Sequence, residues 1–184
     1  MAKNLAAVRV YGDILSAVYA AASGTTGPVG LAAVAVTYKD MGWLGESGVS
    51  LSRKVDVKKF KAHQGGTVVK TKVTGTENSF KFQCSEENAI VLGLMHAGSS
   101  GVTAVGVSTI TVPGGMTADP RAWVVDEFEG TAIQTRYIIP VGTVGDRGEV
   151  VMSSEELTIY EFTVDVTGDF EIVTNSTAVV YPIA

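Results

Sequence analysis

Histidine, cysteine and tryptophan are nearly missing from this sequence, and each shortage removes a class of chemistry. The 184 residues hold two histidines, His63 and His96, one cysteine, Cys84, and two tryptophans, Trp43 and Trp123. Neither histidine has an acid or cysteine at metal-ligand spacing, so no metal site is expected. A lone cysteine forms no internal disulfide, and Cys84 reads as a small apolar residue on the inner face of a strand. The sequence has no Gly-x-Ser-x-Gly elbow, which removes the commonest serine-hydrolase signature. Positive charge is also short: 14 Lys and Arg face 19 Asp and Glu, a net charge of −5. That balance argues against a surface built to neutralise phosphate backbones. Long apolar runs are absent too. Ile14–Ala22 falls far short of the roughly 20 residues of a membrane span. Arg9, Gly12 and Asp13 interrupt any signal-peptide core. Ser23–Pro28 is glycine-rich, but Val29-Gly30-Leu31 follows where a phosphate-binding loop needs Lys-Ser/Thr.

What remains is a glycine-rich chain (21 residues) with 46% hydrophobic content, which reads as one globular domain over 1–184. Leu5–Ala22 and Ala32–Tyr38 read as strands, the second with Val34, Val36 and Tyr38 on one face. Thr67–Thr74 and Asn78–Cys84 read as two strands around a turn at Thr74–Glu77, with Phe80, Phe82 and Cys84 facing inward. Residues 86–96 read as a helix with Ser85 as N-cap and Glu86 and Glu87 in its first turn. Val102–Val112 is strand-like. Arg121–Phe128 and Thr131–Ile139 flank the hairpin signal Glu129-Gly130, and Pro140 is expected to end that pair. Val141–Val151 reads as a glycine-broken strand or loop. In Leu157–Asp165, Tyr160, Phe162 and Val164 point inward and Ile159, Glu161, Thr163 and Asp165 outward. Phe170–Val180 is the last strand. The expectation is a mainly-β fold, a β-sandwich or barrel with one flanking helix.

The stretch 42–66 stands apart. Trp43 sits in a glycine-rich turn, and a polar, basic segment from Val49 to Gln64 follows, long for a connection inside a compact domain. Loops of that length are usually functional, and this one is expected to order against a neighbouring copy. Its candidate contact residues are Trp43, Leu44, Glu46, Arg53, Lys58, Phe60 and Gln64. The basic run has three readings: a solvated face, a nucleic-acid patch, or a tongue meeting the acidic flank of an adjacent subunit. The acidic balance and the lack of interleaved aromatics disfavour the second. Asp126, Glu127 and Glu129 resemble a glycosidase carboxylate pair. Adjacent strand residues point to opposite faces, however, and a solvated turn does not raise a carboxyl pKa. No enzyme and no cofactor are expected. The competing reading is a carbohydrate-binding β-sandwich, which needs an exposed aromatic platform.

Several segments, in this order, resemble the major tail tube proteins of long flexible-tailed bacteriophages (siphoviruses), especially those infecting actinobacteria. They are Gly24-Thr25-Thr26-Gly27-Pro28, Asp40–Val49, Phe60–Lys70, Ser79–Asn88, Val125–Gly130, Arg136–Pro140 and Glu155–Val164. The resemblance implies a virion structural protein on a β-sandwich with a flanking helix. Hexameric rings would stack into a tube, with the arm bridging copies. DNA would cross the lumen at ejection without specific binding. Partners would be further copies, the tape-measure protein, the tail terminator and the distal tail protein. The subunit would be assembled in the host cytoplasm and reside in the virion tail, without membrane insertion. Two departures stand out: the arm is lysine-rich where the family is often acidic, and no immunoglobulin-like domain is expected after Val166. For the lumen face, Lys70 and Lys72 compete with Glu161, Thr163 and Asp165, and the acidic set is favoured because negative charge repels DNA.

Overall fold

The computed structural model describes residues 7–61, 63 and 65–179. Ten strands and one helix follow in the order β1 (Ala17–Ala22), β2 (Lys39–Asp40), β3 (Leu44–Lys61), β4 (Val68–Cys84), α1 (Ala89–Met95), β5 (Ser100–Ala104), β6 (Val107–Thr111), β7 (Pro120–Glu129), β8 (Ile133–Arg147), β9 (Tyr160–Val166) and β10 (Glu171–Thr174). One antiparallel sheet runs β2-β1-β7-β8-β9-β4-β3, with β10 also pairing β8, while β5 and β6 form a separate hairpin. The mainly-β expectation with one helix holds. The large sheet is open, ending at β2 and β3.

This sheet curls. In the strand path β8 and β9 lie between β7 and β4, so a flat sheet would hold β7 and β4 about 14 Å apart. Yet Trp123 on β7 makes edge contacts with Phe80 and Phe82 on β4, at 5.5 and 5.9 Å between ring centres. The concave face gathers Val18, Phe80, Phe82, Trp123, Phe162 and Val164, and α1 closes it with Val91 and Leu94. The inward set Tyr160, Phe162 and Val164 is buried as alternation requires, and Cys84 is buried with it. Burial, then Asp40 and Glu86, push the Cys84 thiol up to about 12. Trp123 is fully buried and its indole N–H donates to the Gly142 carbonyl at 3.0 Å. A Cβ on Gly142 would meet Val164 at 2.8 Å, so only glycine allows that approach. Trp123→Ala is expected to cost about 3–5 kcal/mol in urea unfolding, because it empties a buried site and strips Phe80 and Phe82 of a ring partner.

The convex face has a smaller core. Ala122, Val124 and Ala21 lie beneath Tyr38, with Val34 and Tyr19 alongside. Residues 32–38 are not the expected strand. They form a turn-rich cover held by Arg136, which donates to the carbonyls of Gly30 (3.1 Å) and Ala32 (2.5 Å). Arg136 also grips Asp126 in a two-point ion pair at 2.6 and 2.7 Å, with both side chains buried.

Other boundaries move for physical reasons. Of Leu5–Ala22, β1 keeps only Ala17–Ala22, and residues 1–6 lie outside the described part. The helix caps on Asn88, whose side chain accepts from Ile90 and Val91, so Ser85, Glu86 and Glu87 precede it. β8 runs through Pro140, which sits at an irregularity in the β7 pairing and between the stretches paired to β10 and β9. A missing N–H is harmless there. Val102–Val112 splits into β5 and β6 at Val105-Gly106, both with positive φ (51° and 76°), a turn whose twist suits a hairpin. Valine gives no warning of that geometry. β10 spans Glu171–Thr174 rather than Phe170–Val180, and Val180 lies outside the described residues.

Candidate assembly surface

The arm is not a loop. β3 and β4 form one continuous antiparallel hairpin from Leu44↔Cys84 to Lys61↔Val68, turning through Gly65-Gly66. Thr74–Glu77 is no turn; an extra residue, Thr74, bulges from β4 between Gly75 and Val73. The hairpin's base is supported, since β9 pairs with β4 from Cys84 to Asn78. Beyond Asn78 the two strands have no third among the described residues. That free ribbon projects about 30 Å, nine residues at roughly 3.4 Å each. An isolated two-stranded ribbon is marginal in water and gains most from a partner.

The ribbon's faces differ. Leu51 pairs with Phe80 of the concave core, and alternation along β3 places Arg53, Val55, Val57 and Lys59 on the same side. Ser52, Lys54, Asp56, Lys58 and Phe60 take the other side. There Lys58 stands directly opposite Lys72 and Phe60 opposite Lys70, and the Lys58 ammonium lies 5.5 Å from the Phe60 ring centre. Like charges across a strand pair repel. From Ser52 to Glu77 seven basic residues face two acidic ones, Asp56 and Glu77, so the body is more acidic than the chain's net −5.

The arm residues named from sequence therefore fall into two groups. Trp43, Leu44 and Glu46 lie at the hairpin base, whereas Arg53, Lys58 and Phe60 are exposed on the ribbon. Gln64 lies outside the described residues. The base group borders an open groove of about 840 Å³, walled by residues 11–17 and 42–49 and floored by Val125, Glu127, Tyr137 and Ile139. Trp43 is 68% exposed at its rim. Five carboxylates line it (Asp13, Asp40, Glu46, Glu86 and Glu127), and no Lys or Arg does. Among the described residues none of the five is in an ion pair.

Glu127 departs from the sequence reading, which placed it in a solvated turn. It is buried, and desolvation raises its carboxyl pKa, with a Ser16 hydrogen bond opposing and Asp126 adding to the rise. A raised folded-state pKa means the folded chain holds this proton more tightly, so the Glu127 contribution to stability falls as pH rises from about 4.5 through the raised folded-state value. Glu127→Gln is expected to flatten that part of the profile and to be more stable than the parent at neutral pH. Urea unfolding of dilute monomer from acid to neutral pH measures it, and an unchanged slope would refute it. Asp126 faces the opposite side, where Arg136 holds it; the two acids do not share a site.

On β9, Glu161, Thr163 and Asp165 share the outward face. Glu161 is not a free negative charge: Lys81 meets it at 2.7 Å and Gln83 donates at 2.8 Å, and these contacts hold its carboxyl below the usual range. Sequence reasoning missed Asp13, Ser16 and Tyr137 in the groove, which come from distant segments. It also missed the strand in the arm, although Val49, Leu51, Val55 and Val57 carry a period-two signal.

The fold and surface define a mainly-β protein with open sheet edges and a hairpin whose outer part has no third strand among the described residues. A sequence model described as phage tail tube protein matches residues 1–173, and the chain belongs to that family, whose members are components of phage tails. No curated protein matches in sequence. Among solved structures, the chain is similar to one in the 6-fold symmetrised baseplate of the anti-feeding prophage, at 10% identity, 86% and 91% coverage of the two chains and TM-score 0.48. Similar chains also occur in a native gene transfer agent virion (10% identity, 76% and 92%, TM-score 0.45) and in an empty gene transfer agent tail (10%, 86% and 95%, 0.42).

Proposed function

We propose that this chain is the major tail tube subunit of a long flexible-tailed phage. Copies close into hexameric rings through their open sheet edges, which removes strand edges that otherwise template aggregation. Rings stack into a tube whose channel passes DNA at ejection. The tape-measure protein, tail terminator and distal tail protein meet the tube, and assembly takes place in the host cytoplasm. The observation that carries this reading is the ribbon beyond Asn78, which has no third strand among the described residues. Glu161, Thr163 and Asp165 are assigned to the lumen, with Lys81 offsetting part of their charge. The carbohydrate-binding alternative is weaker, because Trp123 is buried and leaves Trp43 without a second tryptophan for a platform.

Negative-stain microscopy and sedimentation of the purified chain at rising concentration test the proposal. Tubes or rings are expected at high concentration. A monomer at every concentration would overturn it.

A further inference from the structure

We propose that the acidic groove at the hairpin base is the seat for the lysine-bearing hairpin tip of a second copy of this chain. This rests on the tail tube reading above and names the contact by which one copy holds the next.

Charge complementarity carries the argument. The groove gathers five carboxylates without a basic residue, and the ribbon concentrates Lys58, Lys59, Lys70 and Lys72, none of them ion-paired among the described residues. Several other acids of the body are already answered: Asp126 by Arg136, Asp119 by Arg121, Glu161 by Lys81 and Glu129 by Arg9. Apolar surface matches as well. Trp43 and Leu51 at the groove are exposed, and so are Val57, Phe60 and Val73 on the ribbon. Docking would relieve the Lys58–Lys72 repulsion and bring lysines without an ion pair to carboxylates without one.

Geometry makes the contact intermolecular. The groove walls include Gly45–Val49, the first residues of the hairpin itself. The tip lies about 30 Å away along a continuous strand, so it cannot fold back onto its own base. Tip-to-base contact is also not self-complementary. Each bound copy leaves one tip and one groove free, which is the condition for continued growth.

Carbodiimide coupling of assembled protein, followed by peptide mass spectrometry, tests the pairing directly. Lys58, Lys59, Lys70 or Lys72 is expected to couple to Asp13, Glu46 or Glu86 of another copy. Charge reversal gives a second readout. Asp13→Lys with Glu46→Lys, and separately Lys58→Glu with Lys72→Glu, should each raise the concentration needed for assembly by at least about tenfold. The chain carrying all four changes should recover most of that loss. Circular dichroism confirms that each variant folds. Tubes that form normally with the reversed groove, or tip lysines coupled to carboxylates elsewhere, would overturn the seat while leaving the tail tube reading intact. A parent chain that never assembles would overturn both.

Discussion

Joining Arg53 directly to Asn78 through an Asn-Gly turn, in place of Lys54–Glu77, is expected to abolish tube formation and leave a folded monomer. Arg53 and Asn78 are register partners, so a two-residue turn fits between them without disturbing the strands below. None of the deleted residues belongs to either buried cluster. Val49 and Leu51 remain paired with Phe82 and Phe80, and β9 still supports β4. The thermal midpoint should stay within about 4 °C of the parent, the shift given by roughly 1 kcal/mol in a chain of this size. Assembly, followed by pelleting and microscopy, should fall below detection at concentrations where the parent forms tubes. Normal tubes from the shortened chain would remove the hairpin from the assembly mechanism. Loss of the fold would mean that the ribbon supports the core from outside it.

The second large effect concerns Arg136. Its guanidinium meets both oxygens of Asp126 and two loop carbonyls, beneath the cover formed by residues 31–38. Arg136→Met strands a buried carboxylate and is expected to destabilise the fold by about 3–5 kcal/mol. At roughly 2–4 °C per kcal/mol the midpoint should fall by about 10 °C. Combining it with Asp126→Leu removes the stranded charge and should recover much of the loss, since replacing both partners is far milder than removing one. The remainder reflects the Gly30 and Ala32 carbonyls left without their donor. Faster amide exchange confined to residues 31–38 in the double variant would report that remainder. If the single variant melts like the parent, the ion pair contributes nothing.

Legibility in the sequence followed burial. β9 and the end of β4 could be read because one face is core: Phe80, Phe82, Tyr160, Phe162 and Val164 alternate with polar neighbours. The same alternation exists in Val49, Leu51, Val55 and Val57. Basic residues crowd both faces of that strand, and neither face of the ribbon is buried, so nothing distinguished it from a polar loop. The 32–38 segment misled in the opposite direction. Its valines and Tyr38 suggested a strand, but Val34 and Tyr38 cover the convex face while Val36 is exposed, and only Arg136 from a distant strand reveals the anchor. The groove was invisible for a related reason. Asp13, Glu46, Glu86 and Glu127 come from four segments of chain, and their convergence is a product of sheet curvature, which single-sequence patterns do not encode.

The projecting ribbon carries lysine and Phe60 on one side and a valine stripe on the other. Because side chains in a strand alternate, adding one residue to each strand below the tip would turn that tip upside down, whereas adding two would keep its orientation. Lineages that lengthen or shorten this reach should therefore do so in even steps per strand, or acquire a compensating kink like the one Thr74 supplies. If the hairpin is the contact proposed above, parity rather than composition limits how its reach can change.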